Sequence, residues 1–215
     1  MTNDNAGDRV IQALRTAALA APAGERLPSV RELMAQHRAS PITVQRAVAA
    51  LAAEGLVERV PNRGARVRVV TTEEAVAITE ARMALEALIA RKAAERAGAD
   101  DAERLRAHLG QMRAAVEAGD LLKYSALIQQ LHGLVRELAA QPVAAALIGR
   151  LQAQLVRHQF RLSLRPGRPQ VSLRGLTALV EAIADGDPDR AQDAAVAHFR
   201  SVIAALSEPS PGGPA

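Results

Sequence analysis

Ser40-Pro41-Ile42-Thr43-Val44-Gln45-Arg46-Ala47-Val48 is the stretch from which the fold of the first third of the chain can be worked out. The Ser40 hydroxyl is placed to accept the first free N–H groups of a helix, and Pro41 suits the first helical position because no amide hydrogen is missed there. Val44, Ala47, Val48 and Leu51 recur at helical spacing and give this helix a buried side, and Gly55 ends it in a left-handed cap. Upstream, Ser29 stands three residues before Glu32, the spacing of a capping box, and starts a short helix from Val30 to His37. The two helices are separated by about two residues, the tight turn of a helix-turn-helix. Further out, Val10, Ile11, Leu14, Ala18 and Leu19 predict a helix from Asp8 to Leu19, and Pro22, Gly24 and Pro28 break the chain after it.

Downstream, Leu56–Val60 and Ala65–Val70 are short and rich in β-branched residues, and Pro61-Asn62-Arg63-Gly64 between them is a turn sequence. Three short helices followed by this hairpin describe a winged helix-turn-helix. Thr71 and Glu74 repeat the capping-box spacing, so the domain junction falls at Val70–Thr72. Everything beyond reads as helix. The expected spans are Ala75–Ala97, Asp100–Ala118 with Asp100 and Glu103 as its capping pair, Leu121–Ala140 capped by Asp120, and Val143–Leu164 with Pro142 at its first position. Arg165-Pro166-Gly167-Arg168-Pro169 forces a loop, and helices over Val171–Ala184 and Pro188–Leu206 follow. The expected organisation is a mainly α chain. A winged helix-turn-helix with a small β-hairpin wing covers 1–70, and an antiparallel bundle of about six helices covers 71–206. The Pro/Gly-rich segment 207–215 is expected to be a disordered tail.

Composition narrows the function. Among 215 residues there is no cysteine, which removes disulfides, thiol nucleophiles and thiolate metal sites. No apolar run is long enough to span a bilayer, and Met1 to Gly7 is polar, unlike a signal peptide, so a cytoplasmic protein without membrane contact is expected. No Gly-x-Ser-x-Gly, phosphate-binding glycine loop or His-Glu-x-x-His occurs, and most carboxylates fall at helix starts, so an enzyme is not expected. The net charge of +4 is unevenly spread. Residues 1–70 hold 10 Arg against 6 Asp and Glu, whereas the remainder balances at 17 against 17. A basic module joined to an electrically neutral one suits an anionic polymer such as nucleic acid.

The residues Leu27-Pro28-Ser29-Val30-Arg31-Glu32-Leu33, Ser40 to Val48, Glu54-Gly55-Leu56-Val57 and Arg63-Gly64 resemble the winged helix of GntR-family transcription regulators over nearly all of 9–69. The resemblance implies binding to a double-stranded DNA operator through Arg31, Ser40, Ile42, Thr43, Gln45, Arg46, Arg63, Gly64 and Arg66. The residues agree with it on their own chemistry. A helix opening Ser40-Pro41-Ile42-Thr43 offers amides, hydroxyls and a positive dipole end to a phosphate or base edge. Gln45 and Arg46 lie one turn in, where side chains reach into the major groove, and Arg63 and Arg66 on the wing could reach the minor groove or backbone. Arg31 matches the family's DNA-contacting arginine, with an ion pair to Glu32 or Glu54 as the alternative. Pro41 and Gln45 stand where the fatty-acid-responsive branch carries operator-reading arginines, so the base preference is expected to differ from that branch.

Glu80-x-Arg82-x-x-x-Glu86, Gly119-Asp120, Leu131-His132, Glu181-Ala182-Ile183 with Gly186-Asp187, and Ala197-His198 occur in this order, and through them residues 74–206 resemble the all-helical FCD effector domain of the FadR branch. Many members hold a divalent metal there through an Asp, a His four residues on, and two later histidines. Here Ile128 occupies the Asp position and Leu176 the middle His position, leaving His132 and His198. Two histidines can hold a metal only weakly, so no tightly bound metal and no other cofactor is expected. The two imidazoles would then hydrogen-bond to each other, to water or to an effector.

Arg82 matches an arginine that commonly faces the family's ligand cavity, where it would pair with a carboxylate; the alternative is an ion pair with Glu86 one turn along. Tyr124, Gln129 and Arg136 share the helix of His132 and join Arg82, His132 and His198 as candidate effector-binding residues, with core packing as the stronger reading of Tyr124. His37, His108 and His158 are expected to be solvated. The resulting expectation is a ligand-responsive repressor that binds a palindromic operator as a homodimer and takes a small effector, such as a carboxylate, in its helical domain. The alternatives are a DNA-binding protein whose helical domain only dimerises and, more remotely, a metal-dependent enzyme.

Overall fold

The computed structural model describes residues 4–60, 64–163 and 165–208. The chain divides into two compact units, Met1–Val70 and Thr71–Ala215.

In the first unit, α1 (Asp4–Ala20), α2 (Val30–His37) and α3 (Pro41–Ala53) precede β1 (Val57–Val60) and β2 (Gly64–Val67). Val10, Leu14 and Ala18 lie on one side of α1 and are buried, as are Val44, Ala47, Val48 and Leu51 of α3, and the two helices pack together. Arg15 of α1 ties the end of α3 by donating to Glu54, with Nε 3.0 Å from Oε2. The Ser29 hydroxyl accepts from the Glu32 N–H while the Glu32 carboxylate accepts from the Ser29 N–H, so the capping box is complete. The turn into α3 uses Arg38 in a left-handed conformation (φ 49°), where glycine is the usual occupant.

The hairpin is antiparallel, with Val57 opposite Val67 and Val60 opposite Gly64. Its second strand stops at Val67, three residues short of the expected Val70. Arg68 N–H instead donates to Leu56 O at 3.0 Å, where the partner strand has already turned into the cap of α3. The segment 24–27, which reads in sequence only as a break between helices, lies along the other edge of β2. Leu27 N–H donates to Ala65 O and Val67 N–H to Glu25 O, and Gly24 makes the bend with φ 82°. Backbone pairing of this kind leaves little trace in side-chain pattern.

The second unit contains α4 (Thr72–Ala94), α5 (Ala99–Glu117), α6 (Leu121–Ala139), α7 (Pro142–Ser163), α8 (Arg168–Ala184) and α9 (Pro188–Ser207). Helix α4 is the hub and packs against α6, α7, α8 and α9. Its alanines at 75, 87, 90, 93 and 94 are buried, and their small side chains allow this close approach on several sides. Three helix starts differ from expectation. α4 begins at Thr72, with the Thr71 hydroxyl accepting from the Glu74 N–H. α5 is capped two residues early, by Asp101 accepting from the Gly98 N–H at 3.1 Å, so the Asp100–Glu103 pair is not the cap. α8 begins at Arg168, because Gly167 (φ 77°) turns the chain and Pro169 falls in the first turn, where its lack of an N–H costs nothing. α9 runs on to Ser207, which was expected in the tail; residues 209–215 lie outside the described residues. His108 is buried and not solvated, with Nε2 2.8 Å from Leu127 O. Among the described residues, no helix is long and apolar enough to cross a membrane.

Candidate nucleic-acid interface and effector cavity

The first candidate site is the outer side of α3. Burial of Val44, Ala47, Val48 and Leu51 leaves Pro41, Ile42, Gln45 and Arg46 exposed together. Thr43 is half-buried, and its N–H donates to the Ser40 hydroxyl at 3.2 Å. The hydroxyls of Ser40 and Thr43 are 2.9 Å apart. The Ser40 hydroxyl thus serves the cap, and the contact between the two hydroxyls spends one of their two hydrogens and leaves the other free to donate. Arg59 of β1 donates to the backbone carbonyl of Gln45 at 3.5 Å and so lies beside this surface. The sequence pattern gave no reason to single it out.

Arg31 is exposed on α2. The two carboxylates that were its alternative partners are engaged elsewhere, Glu32 by Ser29 and Glu54 by Arg15. The Ser29 hydroxyl and N–H hold the Glu32 carboxyl below its usual range. Among the described residues Arg31 has no ion pair, which leaves its guanidinium available. Arg66 differs, because it pairs across the hairpin with Glu58 and its charge is locally offset. Gly64 opens β2 with φ 81°, and Arg63 lies outside the described residues.

The second candidate site lies in the helical unit and is a cavity of ≈ 80 Å³. Arg82 of α4, Ile128 and His132 of α6, and His198 and Phe199 of α9 line it, joined by Arg168 and Ser172 of α8. Arg82 is 2% exposed, its Nη2 donates to Glu86 Oε1 at 3.1 Å, and its guanidinium carbon lies 5.3 Å from the Phe199 ring centre. Arg82 therefore forms the ion pair with Glu86 and also lines the cavity. Burial pulls its pKa down and Glu86 opposes that pull. Arg168, which the sequence pattern places in a loop, is buried and donates to Ser201 O at 3.1 Å.

Of the other expected residues, Tyr124 is buried, its hydroxyl donates to Pro169 O at 3.1 Å, and it is among the residues lining the cavity. Burial raises its pKa. Gln129 is exposed at the cavity rim and bonded to Gln152. Arg136 is not in the lining but stands 3.7 Å from Glu86 Oε1. The rings of His132 and His198 have centres 6.3 Å apart and share no hydrogen bond. Burial foremost brings both pKa values down to about 3, with Arg82 and Arg136 adding to it at His132 and with His132, Arg168 and Arg82 adding to it at His198. His132 is therefore neutral, and its approach to Glu86 at 4.0 Å is not an ion pair. Gly175 carries a constraint that the sequence did not announce. A Cβ there would stand 2.9 Å from His198 Nδ1, so α8 approaches α9 closely only because residue 175 has no side chain.

The donor set does not suit a metal ion. Ile128 faces the cavity with carbon only, and Leu176 is fully buried in the apolar core and outside the lining. Among the described residues no group of three His, Cys, Asp or Glu side chains is placed to share an ion. What the cavity holds instead is guanidinium.

A winged helix that exposes Gln45 and Arg46 on its third helix, followed by a helical unit whose cavity is lined by two arginines and two histidines, is the build of a DNA-binding regulator. Residues 2–67 match the family model for bacterial regulatory proteins of the gntR family, and residues 77–201 match that for the FCD domain. The chain belongs to the GntR family of transcriptional regulators, in the group that carries an FCD domain, and not to an enzyme family. It is 25% identical to the HTH-type transcriptional repressor RspR of Escherichia coli (strain K12), over 81% of this chain and 76% of that protein. It is 29% identical to the HTH-type transcriptional repressor NanR of Cronobacter sakazakii (strain ATCC BAA-894), over 84% of this chain and 76% of that protein. Among solved structures, E. coli McbR/YncC shares the fold with a TM-score of 0.75 at 19% identity, over 94% of this chain and 96% of that one.

Proposed function

We propose that the chain is a repressor that binds a palindromic operator as a homodimer and responds to a small organic acid held in the cavity of its helical unit. The observation that carries the effector reading is an imbalance of buried charge. Arg82 and Arg168 line the cavity, and Glu86 is the one fully buried carboxylate among the described residues. Arg82 Nε and His198 Nδ1 are also buried without a hydrogen-bond partner. A buried cation without a full counter-charge is costly, and a bound carboxylate would offset that cost through the charge-assisted hydrogen bonds for which guanidinium is suited. The volume of ≈ 80 Å³ favours a small acid over a bulky one.

Repression is supported by the names of both relatives, RspR and NanR. A homodimer is favoured because one winged helix reads only a half-site, and two-fold pairing doubles the contact. Such a protein works on chromosomal DNA in the cytoplasm. The effector would shift the relative populations of states with different operator affinity.

The effector reading is tested by melting the full chain with a panel of small mono- and dicarboxylates, with and without a chelator. A ligand of the folded state raises the melting temperature by mass action, and the rise should persist with chelator and vanish in Arg82→Met. The absence of a rise with any acid would favour a helical unit that only dimerises, a reading that the apolar Ile128 also suits.

A further inference from the structure

The leading edge of α3 exposes an apolar side chain beside few hydrogen-bonding groups. Pro41 has no N–H, and the hydroxyls of Ser40 and Thr43 hydrogen-bond each other while Ser40 also accepts from the Thr43 amide, which leaves one hydroxyl hydrogen between them. Next to them Ile42 is 64% exposed, more than any other large hydrophobic side chain described in the first unit. The buried side of α3 is complete without it. Gln45 and Arg46 follow at three and four residues' distance, on the same exposed side, and their side chains make no hydrogen bond among the described residues. Beside that one hydroxyl, the groups free to meet a partner are an aliphatic branch, a carboxamide and a guanidinium.

We propose that Ile42 reads the 5-methyl group of a thymine in the major groove, beside a base pair whose adenine is read by Gln45. This inference rests on the reading of α3 as the helix that enters the groove. The thymine methyl is the apolar feature that distinguishes one base edge from the others there, and the carboxamide of glutamine fits the N6 and N7 atoms of adenine in a bidentate pair. Arg46, on the same face, is left for a phosphate or a guanine.

Uracil removes that methyl group and leaves base pairing intact, which gives a clean test. The full chain first selects duplexes from a random library, and each thymine of the selected operator is then replaced in turn by uracil. The expected result is a loss of about fourfold in affinity at one thymine of each half-site, the worth of one buried methyl group. In Ile42→Ser, an exposed change that leaves the fold intact by melting temperature, the same replacement should cost nothing. If the operator is bound specifically but no uracil replacement weakens it, or if the loss persists in Ile42→Ser, the inference is overturned while α3 keeps its place as the reading helix. If a Gln45→Ala, Arg46→Ala double variant selects the same operator with unchanged affinity, the reading of α3 falls and this inference falls with it.

Discussion

Arg82 donates to Glu86 across one turn of α4 at 3.1 Å, and both side chains are buried as deeply as core leucines. Removing one member of a buried ion pair leaves the other charge uncompensated, at a cost of about 3–5 kcal/mol. Glu86→Leu should therefore lower the urea midpoint sharply, whereas Arg82→Met with Glu86→Leu should recover much of the loss. An additive double variant would mean that the two residues do not act as a pair.

Acid should destabilise the helical unit through its two cavity histidines. Both have pKa values of about 3 in the folded chain, against 6.5 for an unperturbed imidazole. Between those values the unfolded state binds more protons, so stability is complete above pH 6.5 and falls as the solution is acidified toward pH 3. Each histidine contributes a slope of at most about 1.4 kcal/mol per pH unit. Urea titrations at successive pH values should show that slope reduced in His132→Gln, and an unchanged slope would place the imidazole in water.

Two glycine-to-alanine changes should have opposite signs. At Gly149 of α7 a Cβ meets nothing within 4 Å, so alanine should stabilise by about 1 kcal/mol through helix propensity. At Gly175 the new Cβ would lie 2.9 Å from His198 Nδ1, and overpacking of about 1–3 kcal/mol should outweigh that gain. Melting temperatures of the two variants decide the matter, and a stabilised Gly175→Ala would mean that α8 and α9 are not in close contact there.

The two arginines flanking the reading helix should differ in their effect on DNA. Arg31→Ala should weaken operator binding by about 1–3 kcal/mol if it meets a base, and should lower the salt dependence if it meets a phosphate. Arg66→Ala should matter less, because Glu58 already offsets its charge. Fluorescence anisotropy at two salt concentrations measures both, and the reverse order would show that the Arg66–Glu58 pair opens on DNA.

The helices of this chain were legible because their starts are written in side chains. Ser29, Ser40, Thr71 and Asp120 each cap the helix that their spacing predicts. The strand-like run at 24–27 was not legible, since it is held by backbone hydrogen bonds across prolines and a glycine that read as breakers. In the cavity, Arg82, His132 and His198 could be found from sequence, but Arg168 could not. It sits between Gly167 and Pro169, and only the left-handed turn at Gly167 shows that α8 begins there and carries Arg168 inward. Likewise, nothing in the order of residues says that Gly175 faces His198, because that relationship exists only once two helices are packed.

Sequence-specific recognition of DNA by a two-fold pair of winged helices is measured by selecting bound duplexes from a random library with the full chain. The expected result is a short palindrome whose half-sites lie about one helical turn apart, bound by two chains. Binding that depends on salt but converges on no shared sequence would contradict it.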